Sequence, residues 1–188
     1  MDELWKTHAM LLTPDIAIYT IDKSELPLHD DEFKLAFSNY NISKIKKVMQ
    51  IEYGEDSNVI NQYTQCKNHF QTNGITTREM YVFHGTPYYE NIRKIIINGF
   101  KVGGQSPDVK IVHGAAHGSG VYTSTTPSTP ESYSEDTHCL IVAKALCGNI
   151  GTGTSMGSPC DSIRPNTDWL VLKNGYQLLP VYVIYTGW

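Results

Sequence analysis

The stretch Met80-Tyr81-Val82-Phe83-His84-Gly85-Thr86 carries more information than any other in this chain. Its first four residues are large, aromatic or β-branched, the composition of a short half-buried strand, and the run stops at His84-Gly85-Thr86. A glycine directly after a strand-ending histidine lets another group approach the backbone closely, while the imidazole points into the same cleft. A histidine in such a place is by itself more often structural than functional, so its surroundings decide the reading.

Outward from it, the pattern is that of a turn-rich domain. Residues 91–98 predict a short helix with Ile92, Ile95 and Ile96 as the buried stripe and Gly99 at the C-terminal position that tolerates positive φ. A Gly-rich segment follows, Gly114-x-x-x-Gly118-x-Gly120-Val121-Tyr122, with a strand at 121–124, a short helix at 129–134 containing Ser132 and Tyr133, and a strand at 139–145. Residues 148–165 are rich in Gly, Ser and Thr and long for a loop, which often marks a functional segment. The end reads as a strand at 169–172, then Asn174-Gly175, then a β-rich run over 176–185, a sequence that predicts a closing hairpin.

Upstream, residues 1–30 show no helical period and read as an arm packed on the domain. From Asp31 the spacing of Phe33, Phe37 and Tyr40 is helical, with Asp30 or Asp31 as cap. Ile42, Ile45, Val48 and Met49 extend that pattern, and residues 57–70 predict a further helix with Val59, Ile60, Tyr63, Cys66, Lys67 and Phe70 near one face. The expected organisation is one domain, with an arm (1–30), a helical lead-in (31–78) and a core (79–188). Helices first and short strands afterwards give an α+β class.

Composition narrows the function. Lys and Arg total 15 against 19 Asp and Glu, a net charge of −4, so no cationic surplus exists to release counterions from a phosphate backbone and nucleic acid is not an expected partner. No apolar run approaches a membrane span, and the first residues carry neither the basic flank nor the apolar core of a signal peptide. The expectation is a monomeric cytoplasmic protein, or one delivered into a host cell by a route without a signal peptide. Four scattered cysteines, Cys66, Cys139, Cys147 and Cys160, read as free thiols.

Taken together, His84-Gly85-Thr86, Ile96 through Gly99-Phe100, Gly103-Gly104, Gly114 to Tyr122 and Ser132-Tyr133 resemble the catalytic domain of the poly(ADP-ribose) polymerase type, the diphtheria-toxin-like ADP-ribosyltransferases. The resemblance extends over roughly residues 30–185, with Tyr63-x-x-x-Lys67 in the helical lead-in. It implies two packed, mainly antiparallel sheets and NAD as co-substrate. It further implies that His84 bonds a ribose hydroxyl, that the Gly85 backbone bonds the nicotinamide carboxamide, that Thr86 lies toward the adenosine side and that Tyr122 and Tyr133 sandwich the nicotinamide. Flat aromatics on both faces of a flat cationic ring also make independent physical sense. Where the family commonly has a serine three residues before the second tyrosine, this chain has Pro130, leaving Ser132 or Ser124 to meet the carboxamide.

The family's acidic residue at the start of a late strand falls within Asn166-Thr167-Asp168-Trp169-Leu170-Val171-Leu172. The strand pattern lands on Asp168, the preferred reading, whereas an ungapped count back from Gln177-Leu178-Leu179-Pro180 lands on Trp169. A carboxylate there stabilises the oxocarbenium character that develops when the nicotinamide–ribose bond breaks. In this family, loss of the glutamate goes with transfer of single ADP-ribose units or of none. The resemblance therefore implies a mono-ADP-ribosyltransferase acting on a protein side chain. Some relatives are effectors that modify host proteins, and ubiquitin is the candidate acceptor on that ground. The alternative is a silent NAD- or partner-binding module of the same fold.

Other chemistries are less well supported. His113-x-x-x-His117, Cys66-x-x-His69 and His138-Cys139 offer metal-ligand types, but the glycines around the first pair make it a loop, so no metal is expected. Cys139 and His138 are adjacent on an expected strand and point to opposite faces, which spoils a nucleophile–base pair. A Gly-x-Gly-x-x-Gly turn opening a helix after a strand is absent, which disfavours a Rossmann enzyme.

Overall fold

A computed structural model describes residues 9–103, 116–157 and 159–187. In chain order its elements are β1 (Ala9–Thr13), β2 (Ile16–Asp22), α1 (Asp31–Ala36), β3 (Lys47–Tyr53), α2 (Asn58–Thr72), β4 (Glu79–Gly85), α3 (Tyr89–Asn98), β5 (Val121–Ser124), α4 (Ser128–Ser132), β6 (Cys139–Leu146), β7 (Ile150–Gly151), β8 (Ser162–Ile163), β9 (Trp169–Leu172) and β10 (Leu178–Tyr185). The class is α+β, as the sequence indicates. No described helix is long and apolar enough to cross a membrane.

The strands form one hydrogen-bonded order, β1-β2-β3-β10-β6-β4-β5-β9-β8-β7, antiparallel throughout except for the parallel pair β7–β8. Two packed, mainly antiparallel sheets are the expectation. Instead the halves β1-β2-β3-β10-β6-β4 and β5-β9-β8-β7 are joined, but only by one residue pair, Phe83 opposite Ser124. One core cluster contains side chains from both halves, Ile18, Met49, Val82 and Ile141 from the first and Val121, Leu170 and Leu172 from the second, together with Ile92 and Ile96 of α3.

Strand β6 lies at the centre and is buried on both faces. Cys139, Ile141, Ala143 and Ala145 belong to that first core, while Leu140 and Val142 face a second one built around Phe33, Phe37 and Tyr40. A continuous apolar run is the sequence consequence of a strand covered on both sides. The four residues Val59, Tyr63, Cys66 and Phe70, spaced at helical intervals along α2, make a third core with Leu146 and Leu179.

Local signals explain most boundaries. The Asp30 carboxylate accepts from the Phe33 N–H at 2.7 Å and caps α1. Helix α3 ends where Gly99 turns to φ 75°, its N–H donating to the Ile95 carbonyl. None of the four cysteines forms a disulfide, and three of them are buried.

Three expectations fail, each for a physical reason. Within the arm expected over residues 1–30, residues 9–22 are instead the hairpin β1–β2 at the sheet edge, where Ile16, Ile18 and Thr20 alternate inward, and residues 1–8 lie outside the described residues. Residues 42–49 do not continue a helix: a single 3-10 turn (Ile42–Lys44) gives way to β3, whose adjacent Val48 and Met49 are both fully buried, one against each core. Apolar neighbours on a doubly covered strand mimic helical spacing over so short a run.

The third failure is the closing hairpin, because β9 pairs with β5 and β8 while β10 pairs with β3 and β6. Asn174, at φ −133°, caps a 3-10 turn reciprocally with Gln177, rather than taking the left-handed conformation of a hairpin turn. Gly175 is needed there because a Cβ would collide with the Phe100 carbonyl oxygen. Gln177, buried, spans onward to the Leu146 and Asp161 carbonyls.

Candidate active site

His84 is the penultimate residue of β4, half-buried at the rim of the first core, with its ring edge-on to Phe100 at 5.2 Å between centroids. Its Nδ1 lies 2.9 Å from the backbone carbonyl oxygen of Tyr122. A carbonyl can only accept, so Nδ1 carries the hydrogen and Nε2 carries a lone pair in the neutral ring. Burial holds the imidazole below the ordinary histidine range, and the bond to Tyr122, which favours the protonated form, works against that shift. The result is a neutral ring fixed in one tautomer, with Nε2 unpartnered among the described residues.

Gly85 and Thr86 continue the strand toward α3. A Cβ on Gly85 would run into the Pro130 carbonyl oxygen, so glycine is what allows α4 to lie against the end of β4. Thr86 is buried; its hydroxyl accepts from the Asn91 amide at 3.1 Å and its carbonyl accepts from the Thr137 hydroxyl at 2.9 Å. Both contacts tie the strand end to its neighbours.

Tyr122 is in the middle of β5. Its phenol donates to the Gly118 carbonyl at 2.8 Å and accepts the His117 N–H at 2.9 Å, which anchors the glycine-rich turn that enters the strand. On β5 and β9, Ser124 pairs with Trp169 and Tyr122 with Val171. Alternation therefore puts Tyr122, Ser124 and Trp169 on one face, and Val121, Leu170 and Leu172 on the core face. The Trp169 ring is edge-on to Tyr122 at 6.1 Å, and its indole N–H donates to the Thr129 hydroxyl of α4 at 3.3 Å.

Asp168 stands one residue before β9, half-buried. Its carbonyl accepts from the Thr125 N–H at 2.7 Å and from the hydroxyls of Ser124 and Thr125, while the Asn166 side chain accepts the N–H groups of Asp168 and Trp169. The backbone is thus firmly placed, and the carboxylate makes no hydrogen bond or ion pair with a described residue. Tyr133 is the C-terminal cap of α4. Ser132 is exposed and its hydroxyl donates back to the Thr129 carbonyl, whereas the buried Ser124 hydroxyl is shared between Asp168 and Thr126.

The structure therefore brings His84, Tyr122 and the Ser124–Asp168–Trp169 crossing together through backbone contacts, and packs α4 against Gly85 at Pro130. Gly104, His113 and Gly114 lie outside the described residues. Among the described residues no group of three or more His, Cys, Asp and Glu stands close enough to hold a metal ion. Cys139 is buried, its thiol donating to the Thr137 carbonyl. Two neighbours of Tyr122 gain no site role from the motifs: Trp169, visible only through the ungapped count, and His117, which the sequence offers only as half of a His113-x-x-x-His117 ligand pair.

Residues 35–160 match the family model of the poly(ADP-ribose) polymerase catalytic domain, two thirds of the chain. The match includes His84, Gly85, Thr86, Tyr122, Ser132 and Tyr133 and ends before Asp168 and Trp169. The fold and this match define a domain of the ADP-ribosyltransferase type, a class whose catalytic domains use NAD as substrate. The chain belongs to the poly(ADP-ribose) polymerase catalytic-domain family. No curated protein matches the chain.

Proposed function

We propose that the domain is a mono-ADP-ribosyltransferase that cleaves NAD between nicotinamide and ribose and moves one ADP-ribose to a protein side chain. The observation that carries this reading is the His84–Tyr122 contact, which leaves the Nε2 lone pair of a neutral imidazole open among the described residues. Such an atom accepts a hydrogen bond from a hydroxyl, and NAD offers ribose hydroxyls. In this reading the Gly85 backbone meets the carboxamide, Thr86 holds the strand end on the adenosine side, and the rings of Tyr122 and Tyr133 take the nicotinamide between them.

Asp168 is the carboxylate that stabilises positive charge developing on the ribose as the bond to nicotinamide breaks, through a hydrogen bond to the adjoining hydroxyl. Its fixed backbone and unpartnered carboxylate support that role. Asp-Trp in place of a glutamate at this strand start supports transfer of single units. Ubiquitin is the first acceptor to test.

The experiment is incubation of the protein, and of Asp168→Ala, with labelled NAD and either ubiquitin or a eukaryotic lysate, following free nicotinamide and labelled protein. Label on a discrete protein, lost in the variant, supports the reading. A silent NAD-binding module is the second reading. It is favoured by Trp169, an indole and not a carboxylate, on the Tyr122 face at the first residue of β9. NAD binding with no nicotinamide release would select it.

A further inference from the structure

The loop between β7 and β8 folds back onto the turn that precedes Tyr122. The Met156 N–H donates to the His117 carbonyl at 2.7 Å, and His117 Nδ1 lies 2.6 Å from the Thr154 carbonyl oxygen. Gly118, at φ 82°, sits so close beneath that loop that a Cβ would lie 3.1 Å from Met156. By the same reasoning as for His84, the carbonyl accepts, Nδ1 carries the hydrogen and Nε2 is left with a lone pair. No described residue bonds to Nε2.

The ring is held as firmly as the tautomer. It stands edge-on to Trp169 at 5.4 Å and tilted by 32° against Tyr122 at 6.3 Å, on the face of β5 and β9 that Tyr122 and Trp169 share. A half-buried imidazole whose Nδ1–H is fixed by an acceptor while Nε2 is open has the arrangement of a general base. No charged side chain makes an ion pair with it among the described residues. The titratable groups on the elements around it are the Tyr122 phenol, Asp168 beside Trp169, and Cys160, whose thiol contacts Met156.

We infer that His117 is the general base of this site, taking the proton from the incoming nucleophile, whether a hydroxyl side chain or water. The inference rests on the transferase reading above. In the step, the nucleophile's oxygen bonds to the ribose carbon as the carbon–nitrogen bond to nicotinamide breaks. That bonding pair leaves with neutral nicotinamide, and the O–H proton passes to Nε2 and then to solvent. Asp168 is engaged with the ribose in that reading and Trp169 walls the same space, so the base comes from the turn before Tyr122.

The test measures nicotinamide release from NAD, with water as the sole acceptor and then with ubiquitin present, against pH for wild type, His117→Asn and His117→Phe. The first variant keeps an N–H toward the Thr154 carbonyl and the second keeps the ring. NAD affinity and melting temperature are measured alongside. At saturating NAD, where any effect of His84 on binding drops out, both variants are expected to bind NAD unchanged, lose the pH dependence of wild-type release and fall by about a hundredfold. Variants that keep the wild-type pH profile, whatever their rate, place His117 in packing alone and overturn the inference. No release from wild type at any pH overturns the transferase reading first and this inference with it.

Discussion

At the scale of single residues, His84 makes the sharpest predictions. His84→Asn retains a donor to the Tyr122 carbonyl but removes the Nε2 acceptor, and is expected to weaken NAD binding about tenfold, corresponding to one lost hydrogen bond of about 1.4 kcal/mol, with little change in melting temperature. Titration calorimetry checks it. The lowered imidazole pKa also has a signed consequence for stability. Between the folded value and the unfolded value near about 6.5, the unfolded chain binds the proton more readily, so stability falls as pH drops through that window. The slope of unfolding free energy against pH should be shallower in His84→Asn than in wild type, which denaturant melts at several pH values will read. Protonation would also turn Nε2 from acceptor to donor, so NAD binding is expected to weaken in the same direction.

The residue scale is also where the sequence speaks unevenly. His84, Gly85 and Tyr122 can be picked out because a short spacing pattern surrounds each. Their contact is a backbone hydrogen bond across 38 positions, which no local pattern encodes. Trp169 and His117 are hidden for a related reason, since each gains its place only when β9 crosses β5 and the β7–β8 loop folds onto the turn.

At the scale of elements, α4 is positioned by a contact that only glycine permits. Gly85→Ala would force its Cβ against the Pro130 carbonyl, displacing the helix that carries Ser132 and Tyr133. A loss of about 1–3 kcal/mol is expected, with weaker NAD binding than the stability change alone explains. Thermal melts with and without NAD separate the two effects. Unchanged melting would show that α4 gives way without strain. Helix α3 and strands β5 and β9 were legible because each is bounded by a definite signal or a strict alternation. Strand β3 was not, because burial on both faces erases the alternation that marks a strand, and Asn174-Gly175 reads as a hairpin until the capping by Gln177 and the crowding at Phe100 are known.

At the scale of the whole molecule, the single pair Phe83–Ser124 is the narrowest point of the sheet. The ladders β10–β6 and β6–β4 have seven pairs each, whereas strands β5, β9, β8 and β7 run two to four residues each. Native-state hydrogen exchange is expected to show the β5–β9 half opening at lower free energy than the β6–β10 core. Ligand should narrow the gap, because His84 and Tyr122 lie on opposite sides of that junction and a molecule touching both links the halves. Equal protection in both halves without ligand would mean that the shared core, Val121, Leu170 and Leu172 against Ile141 and Met49, makes them one cooperative unit. The α+β class was readable from the order of segments, but the joining of ten strands through one pair is a property of pairing between distant segments and has no sequence signature.

The most direct measurement for the central claim is release of labelled nicotinamide from NAD by the pure protein, together with the mass gained by ubiquitin or a lysate protein, for wild type beside His84→Asn and Asp168→Ala. Release accompanied by a mass gain of a single ADP-ribose, reduced in both variants, is the predicted result. Binding of NAD without release, or release unaffected by either substitution, would contradict it.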